Sequence, residues 1–155
     1  MKANSKFFVA WFVVFIQLVL FGLFFFLPEI KKFSLPEFIT YVGYFFLTLS
    51  VVVLLISVFR LGRSLSPLPI PKNGSELITD GIYGLVRHPI YTSILMAMFA
   101  LFLVHGSLTK LVILLLSSLF FNVKAKFEEK ELLNKFSTYQ NYMCNTGRFI
   151  PKLFN

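Results

Sequence analysis

Residues 7–27 read FFVAWFVVFIQLVLFGLFFFL. One polar side chain, Gln17, interrupts this run of twenty-one residues. As a helix the run is about 31 Å long, enough to cross a bilayer's hydrocarbon core. Pro28 and the polar Glu29-Ile30-Lys31-Lys32 close it. Phe24-Phe25-Phe26-Leu27 leads straight to Pro28, with no small-residue cleavage site. The run therefore reads as an uncleaved transmembrane helix and not as a signal peptide. A second run, Phe38 to Phe59, is closed by Arg60.

Composition agrees. Of 155 residues, 57% are hydrophobic and 14% charged, and mean hydropathy is +0.77. A soluble domain of this length cannot bury so much apolar surface, so the fold class is an all-α integral membrane protein. The net charge of +8 comes with no basic helix, zinc spacing or aromatic RNA-binding motif, so no nucleic-acid partner is expected. Basic membrane flanks account for it. Cys144 is the only cysteine, which excludes an intramolecular disulfide and a cysteine metal cluster. No metal site is expected.

Residues 60–88 differ from what precedes them. Gly62, Pro67, Pro69, Pro71, Gly74, Gly81 and Gly84 punctuate a mixed-charge stretch. Long ordered loops of this kind tend to be functional. From Pro89 an apolar run reaches Val104, His105-Gly106-Ser107 breaks it, and a second run goes from Leu108 to Val123. These two form a C-terminal helical hairpin, with the last helix extended in polar form through Lys124–Lys135. The expectation is one membrane domain, 1–155. Residues 1–59 form two transmembrane helices, and 60–155 hold a cytoplasmic loop, the hairpin and a tail.

About four transmembrane helices place both termini on one side. That side carries Lys2 and Lys6, then Arg60, Arg63, Lys72 and Arg87, then Lys124, Lys126, Lys130, Lys135, Arg148 and Lys152. The other carries Lys31, Lys32 and Lys110. The positive-inside rule puts the basic side in the cytoplasm, so loop and tail can meet there. A bacterial inner membrane and an endomembrane suit equally.

The polar knot Arg87-His88-Pro89-Ile90-Tyr91 falls where loop becomes helix. Pro89 fits the first helical position. His88 then sits at the helix start, where free N–H groups favour a carboxylate or phosphate. On the last helix, Lys124 and Glu128 are four apart and share a face. A carboxylate there can neutralise a cationic ligand. Each has a bland counterpart: Tyr83 and Tyr91 as an aromatic belt, and Lys124 with Glu128, Glu129, Lys130 and Glu131 as a solvated helix end. Two clusters on one face, joined by a Gly/Pro loop, favour a small-molecule site.

The arrangement resembles the isoprenylcysteine carboxyl methyltransferase family and its bacterial relatives, within the wider group of membrane phospholipid methyltransferases. The matching residues are Leu77-Ile78, Gly81-Ile82-Tyr83, Arg87-His88-Pro89-Ile90-Tyr91, Glu128-Glu129-Lys130-Glu131-Leu132, Phe136, Tyr139-Gln140-Asn141-Tyr142 and Arg148-Phe149-Ile150-Pro151. The resemblance implies an S-adenosylmethionine-dependent methyltransferase. Its cofactor residues would be Ser75, Glu76, Leu77, Ile78, Tyr83, His88, Pro89, Ile90, Tyr91 and Glu128. Lys124 would orient a lipophilic acceptor arriving from the bilayer, for instance a carboxylate such as prenylcysteine. His88 would serve as base for an amine or hydroxyl acceptor.

Departures cluster on the acceptor side. Lys124 replaces the arginine usual in the eukaryotic enzymes and offers a point charge in place of a bidentate fork. Ser75 stands for a histidine, Ser137 for a glycine with shortened spacing to Tyr139, and Thr92-Ser93 for the glycine after the Tyr91 motif. The alternatives are a phospholipid or other small-molecule N/O-methyltransferase, an NADPH-dependent sterol-reductase-like enzyme, and a non-catalytic membrane scaffold.

Overall fold

The computed structural model describes residues 2–72 and 74–152. Among these, six α-helices follow in order: α1 Lys2–Phe26, α2 Glu37–Leu61, α3 Ile82–Leu85, α4 Pro89–His105, α5 Leu108–Lys135 and α6 Tyr139–Asn145, with a 3-10 turn at Gly62–Ser64. Three of them, α1, α2 (with that turn) and α5, are long and apolar enough to cross a membrane. The hairpin arm α4 has 17 residues, about 26 Å at helical rise, and falls just short of that length.

The chain makes the hairpin through Gly106. It caps α4 in the left-handed region (φ 59), with its N–H bonded to Phe102 O. A Cβ there would lie 2.6 Å from Phe33 O, so both the backbone and the neighbouring loop demand glycine. Phe33 N–H in turn donates to Gly106 O. At this end Glu29 gathers Lys32 (2.8 Å), His105 Nδ1 (3.0 Å) and Lys110 (3.4 Å). The hydrogen bond from Lys32 leads the causes that hold its carboxyl below the usual range. Its contribution is therefore present above the ordinary carboxylate pKa and is lost as pH falls through the lowered one.

The two N-terminal helices flank the hairpin. α1 packs on α5, and α2 on α4. The face of α2 toward α4 carries Gly43, Ser50 and Ser57, all buried, at seven-residue spacing. Small residues let helix backbones approach closely where lipid supplies no hydrophobic drive. A Cβ on Gly43 would meet Val104 Cγ2 at 2.7 Å and Ala100 O at 3.1 Å. Gly43→Val is therefore expected to destabilise the protein by about 1–3 kcal/mol through overpacking. Thermal unfolding in detergent should show a lowered midpoint, and an unchanged midpoint would mean that the contact is loose. Phe24, Met98, Ile113 and Leu114 form the buried core of α1, α4 and α5.

Candidate functional site

The site forms where α4 begins. Pro89 is the first residue of α4, with His88 as the cap, and the C-terminal tail is stitched along this junction. Arg87 N–H donates to Gly147 O and His88 N–H to Arg148 O, while Thr92 Oγ1 donates to Phe149 O (2.9 Å). Val86 and Gly147 pair as an isolated parallel bridge.

Glu129 holds this junction together. It is 3% exposed, yet charged groups surround it. Arg87 bonds one carboxylate oxygen (Nε 3.1 Å, with a second nitrogen at 3.0 Å), and Arg148 bonds both (3.0 and 2.6 Å). His88 Nε2 lies 3.2 Å from it. Arg87 also donates to the carbonyls of Met143 and Thr146. One buried carboxylate thus ties the loop, α5 and the tail together. The solvated-helix-end alternative does not hold for Glu129, nor for Lys124, which is also 3% exposed.

Glu128, one residue before it, turns toward an open space. Tyr91 donates its hydroxyl to Glu128 Oε2 (2.7 Å), and His88 Nδ1 stands 3.7 Å from the same oxygen. The His88 and Tyr91 rings stack, with centroids 5.2 Å apart and 4° between planes. Tyr83, expected as a cofactor contact or belt residue, is buried and donates its hydroxyl to Ser57 O (3.3 Å). Its own carbonyl accepts from Tyr142 (2.5 Å). Burial raises both phenols, Tyr142 to about 12 with Arg87 opposing, so they remain neutral donors.

Lys124 and Glu128 share a face of α5, but they form no ion pair among the described residues. Lys124 Nζ donates to Gln17 Oε1 of α1 (2.5 Å) and to Pro67 O (3.3 Å), and sits 5.2 Å from the Tyr91 ring centroid. The reach of Gln17, 107 residues away, was hidden in the sequence; its lone polarity within the apolar run was the available signal.

Glu128, Tyr91, His88, Tyr83, Lys124 and Gln17 line one cavity of about 320 Å³, the size of a small-molecule site. Its walls contain every residue expected to hold the cofactor, from Ser75 to Ile78, Tyr83, His88 to Tyr91 and Glu128, together with Lys124 and Gln17. Tyr139 also lines it. This side chain is 1% exposed, and its hydroxyl has no hydrogen-bond partner among the described residues. A buried orphan hydroxyl and a partly exposed carboxylate fit a polar, cationic ligand such as S-adenosylmethionine. If Tyr139 bonds that ligand, Tyr139→Phe should weaken binding by about tenfold while leaving the unliganded unfolding midpoint unchanged. Equal affinity in the two proteins, by calorimetry, would remove Tyr139 from the site.

A second cavity of about 200 Å³ opens between α1, α2 and α4, walled by Phe21, Phe24, Phe25, Val51, Leu54 and Met98 among others. Ile94 lines both cavities. Apart from Ser50 and Ser93, the walls of the second are apolar.

Comparison with known proteins places this arrangement. The profile described as phospholipid methyltransferase matches residues 12–140. Over 84 residues the chain is 36% identical to the methanethiol S-methyltransferase of Pseudomonas deceptionensis, covering 54% of this chain and 31% of that protein. The matched region thus spans about a third of that curated relative's length. The solved structure of the eukaryotic intramembrane Ras methyltransferase, isoprenylcysteine carboxyl methyltransferase, superposes with a TM-score of 0.67 at 21% identity. That match covers 97% of this chain and 52% of that one, and it establishes a shared fold. With the profile spanning most of its length and three helices able to cross a bilayer, this integral membrane protein belongs to the phospholipid methyltransferase family.

Proposed function

We propose that the protein transfers a methyl group from S-adenosylmethionine to a lipophilic acceptor. The observation that carries this reading is Glu128, a carboxylate held by Tyr91 at 2.7 Å in the wall of a cavity. Bound there, S-adenosylmethionine would supply an electrophilic methyl group on a sulfonium, whose electron pair stays with sulfur on transfer. Glu128 faces the cationic part, Tyr91 and His88 fix its orientation, and the closing tail excludes water.

Lys124 holds the acceptor. A carboxylate acceptor, such as that of prenylcysteine, is ionised at neutral pH and needs no base. For a protonated acceptor His88 is our candidate base. The apolar cavity sharing Ile94 supports an acceptor that comes sideways out of the bilayer. The relative's name favours a second reading, a thiol acceptor, and a single lysine suits a one-atom anion. We also infer four membrane crossings, α4 being the shortest, with both termini and the site cytoplasmic, from the charge asymmetry.

The test is transfer of tritiated methyl from S-adenosylmethionine, with purified protein, to N-acetyl-S-farnesylcysteine, long-chain thiols and a membrane lipid extract. Incorporation into one of these, lost in Lys124→Met, is the expected result. No incorporation into any of them would refute the reading.

A further inference from the structure

We propose that Gln17 selects the charge of the methyl acceptor. By holding the Lys124 ammonium with a neutral amide oxygen, it leaves an unpaired cation in the cavity wall and restricts the acceptor to an anion. The inference rests on the acceptor half of the proposed function, and deepens it.

Lys124 is 3% exposed, and a buried ammonium is costly unless paired. Its oxygen partners are Gln17 Oε1 and Pro67 O, both neutral. The Tyr91 ring beside it is neutral too. Glu128 is four residues along the same helix, but its Oε2 takes the Tyr91 hydroxyl and faces His88. No carboxylate lies within ion-pair distance of Lys124 among the described residues. Two N–H groups of the ammonium are thus directed at neutral oxygens, and among the described residues the cation beside the cavity has no ion-pair partner, Glu128 acting on it only from farther along the helix. An anion there recovers the lost solvation, whereas an amine, ammonium at neutral pH, is repelled. Gln17 is placed for this by α1, whose packing on α5 brings a lone polar residue to the level of Lys124.

A purely structural role, an amide joining two helices, makes a different forecast. Gln17→Glu keeps size and hydrogen bond and strengthens the tether, so structure alone predicts a protein at least as active. Charge selection predicts the opposite, because the introduced carboxylate neutralises Lys124.

Three probes sharing one chain decide: N-acetyl-S-farnesylcysteine (carboxylate), farnesyl thiol and S-farnesylcysteamine (amine). Wild type should methylate the carboxylate or the thiol at least about tenfold faster than the amine. In Q17E, calorimetric binding of the preferred anion should weaken at least about tenfold, with S-adenosylmethionine affinity unchanged. Gln17→Met should lower turnover but keep the preference, and Lys124→Met should abolish it, so the proposal stays testable if Q17E fails to fold. Anion binding by Q17E equal to wild type, or an amine methylated as fast as the anions, overturns the proposal while leaving methyl transfer intact. Failure of wild type to bind or methylate any probe, with S-adenosylmethionine bound normally, refutes the acceptor reading and the proposal with it.

Discussion

Glu128→Ala should abolish S-adenosylmethionine binding to the purified protein, with affinity falling roughly 100-fold or more. The carboxylate is anchored at one oxygen by Tyr91 and has no hydrogen bond at the other among the described residues. Its neighbour Glu129 cannot substitute, because its charge is spent on Arg87, His88 and Arg148. Glu76 lines the same cavity but is exposed, where charge interactions are screened. Glu128→Gln keeps the shape and loses the charge, so it separates the two. A Gln variant that binds as tightly as wild type would show that charge is not the determinant. Unchanged calorimetric affinity in the Ala variant would sink the assignment of the cavity.

Glu129→Ala should cost stability first. Removing a buried carboxylate that serves two guanidinium groups leaves uncompensated charge, at about 3–5 kcal/mol. The midpoint of thermal unfolding should fall sharply, and the tail, held by Arg148, should become sensitive to protease. Glu131 offers the contrast. Its pair with Lys6 spans 2.9 Å, but the lysine side chain is 54% exposed, and such pairs contribute about 0–1 kcal/mol. Glu131→Ala is thus expected to leave the midpoint nearly unchanged. A Glu129 variant as stable as the Glu131 variant would mean that the network of two arginines is ornamental.

Adjacent glutamates with such different fates show what the sequence could reveal. The apolar runs at 7–27 and 38–59 were legible because a bilayer helix must be continuous and apolar. The hairpin was legible because His105-Gly106-Ser107 interrupts two such runs. Pro89 marked the start of α4, since its missing N–H is harmless there. The partners of Glu129 were not legible. Arg87 lies 42 residues before it and Arg148 19 after, and only the reversal of the tail onto Val86–His88 brings them together. Sequence spacing put Lys124 and Glu128 on one face of α5. The fold gives each a different partner, because α1 carries Gln17 to one and α4 carries Tyr91 to the other. The seven-residue repeat of Gly43, Ser50 and Ser57 was visible in principle, but small residues carry no hydrophobic signal to mark a face.

The most direct measurement is a calorimetric titration of the purified protein with S-adenosylmethionine and, separately, with NADPH. Saturable one-to-one binding of S-adenosylmethionine, lost in Glu128→Ala, is expected, with no saturable heat from NADPH. Saturable binding of NADPH with none of S-adenosylmethionine would contradict a methyl-donor site at Glu128.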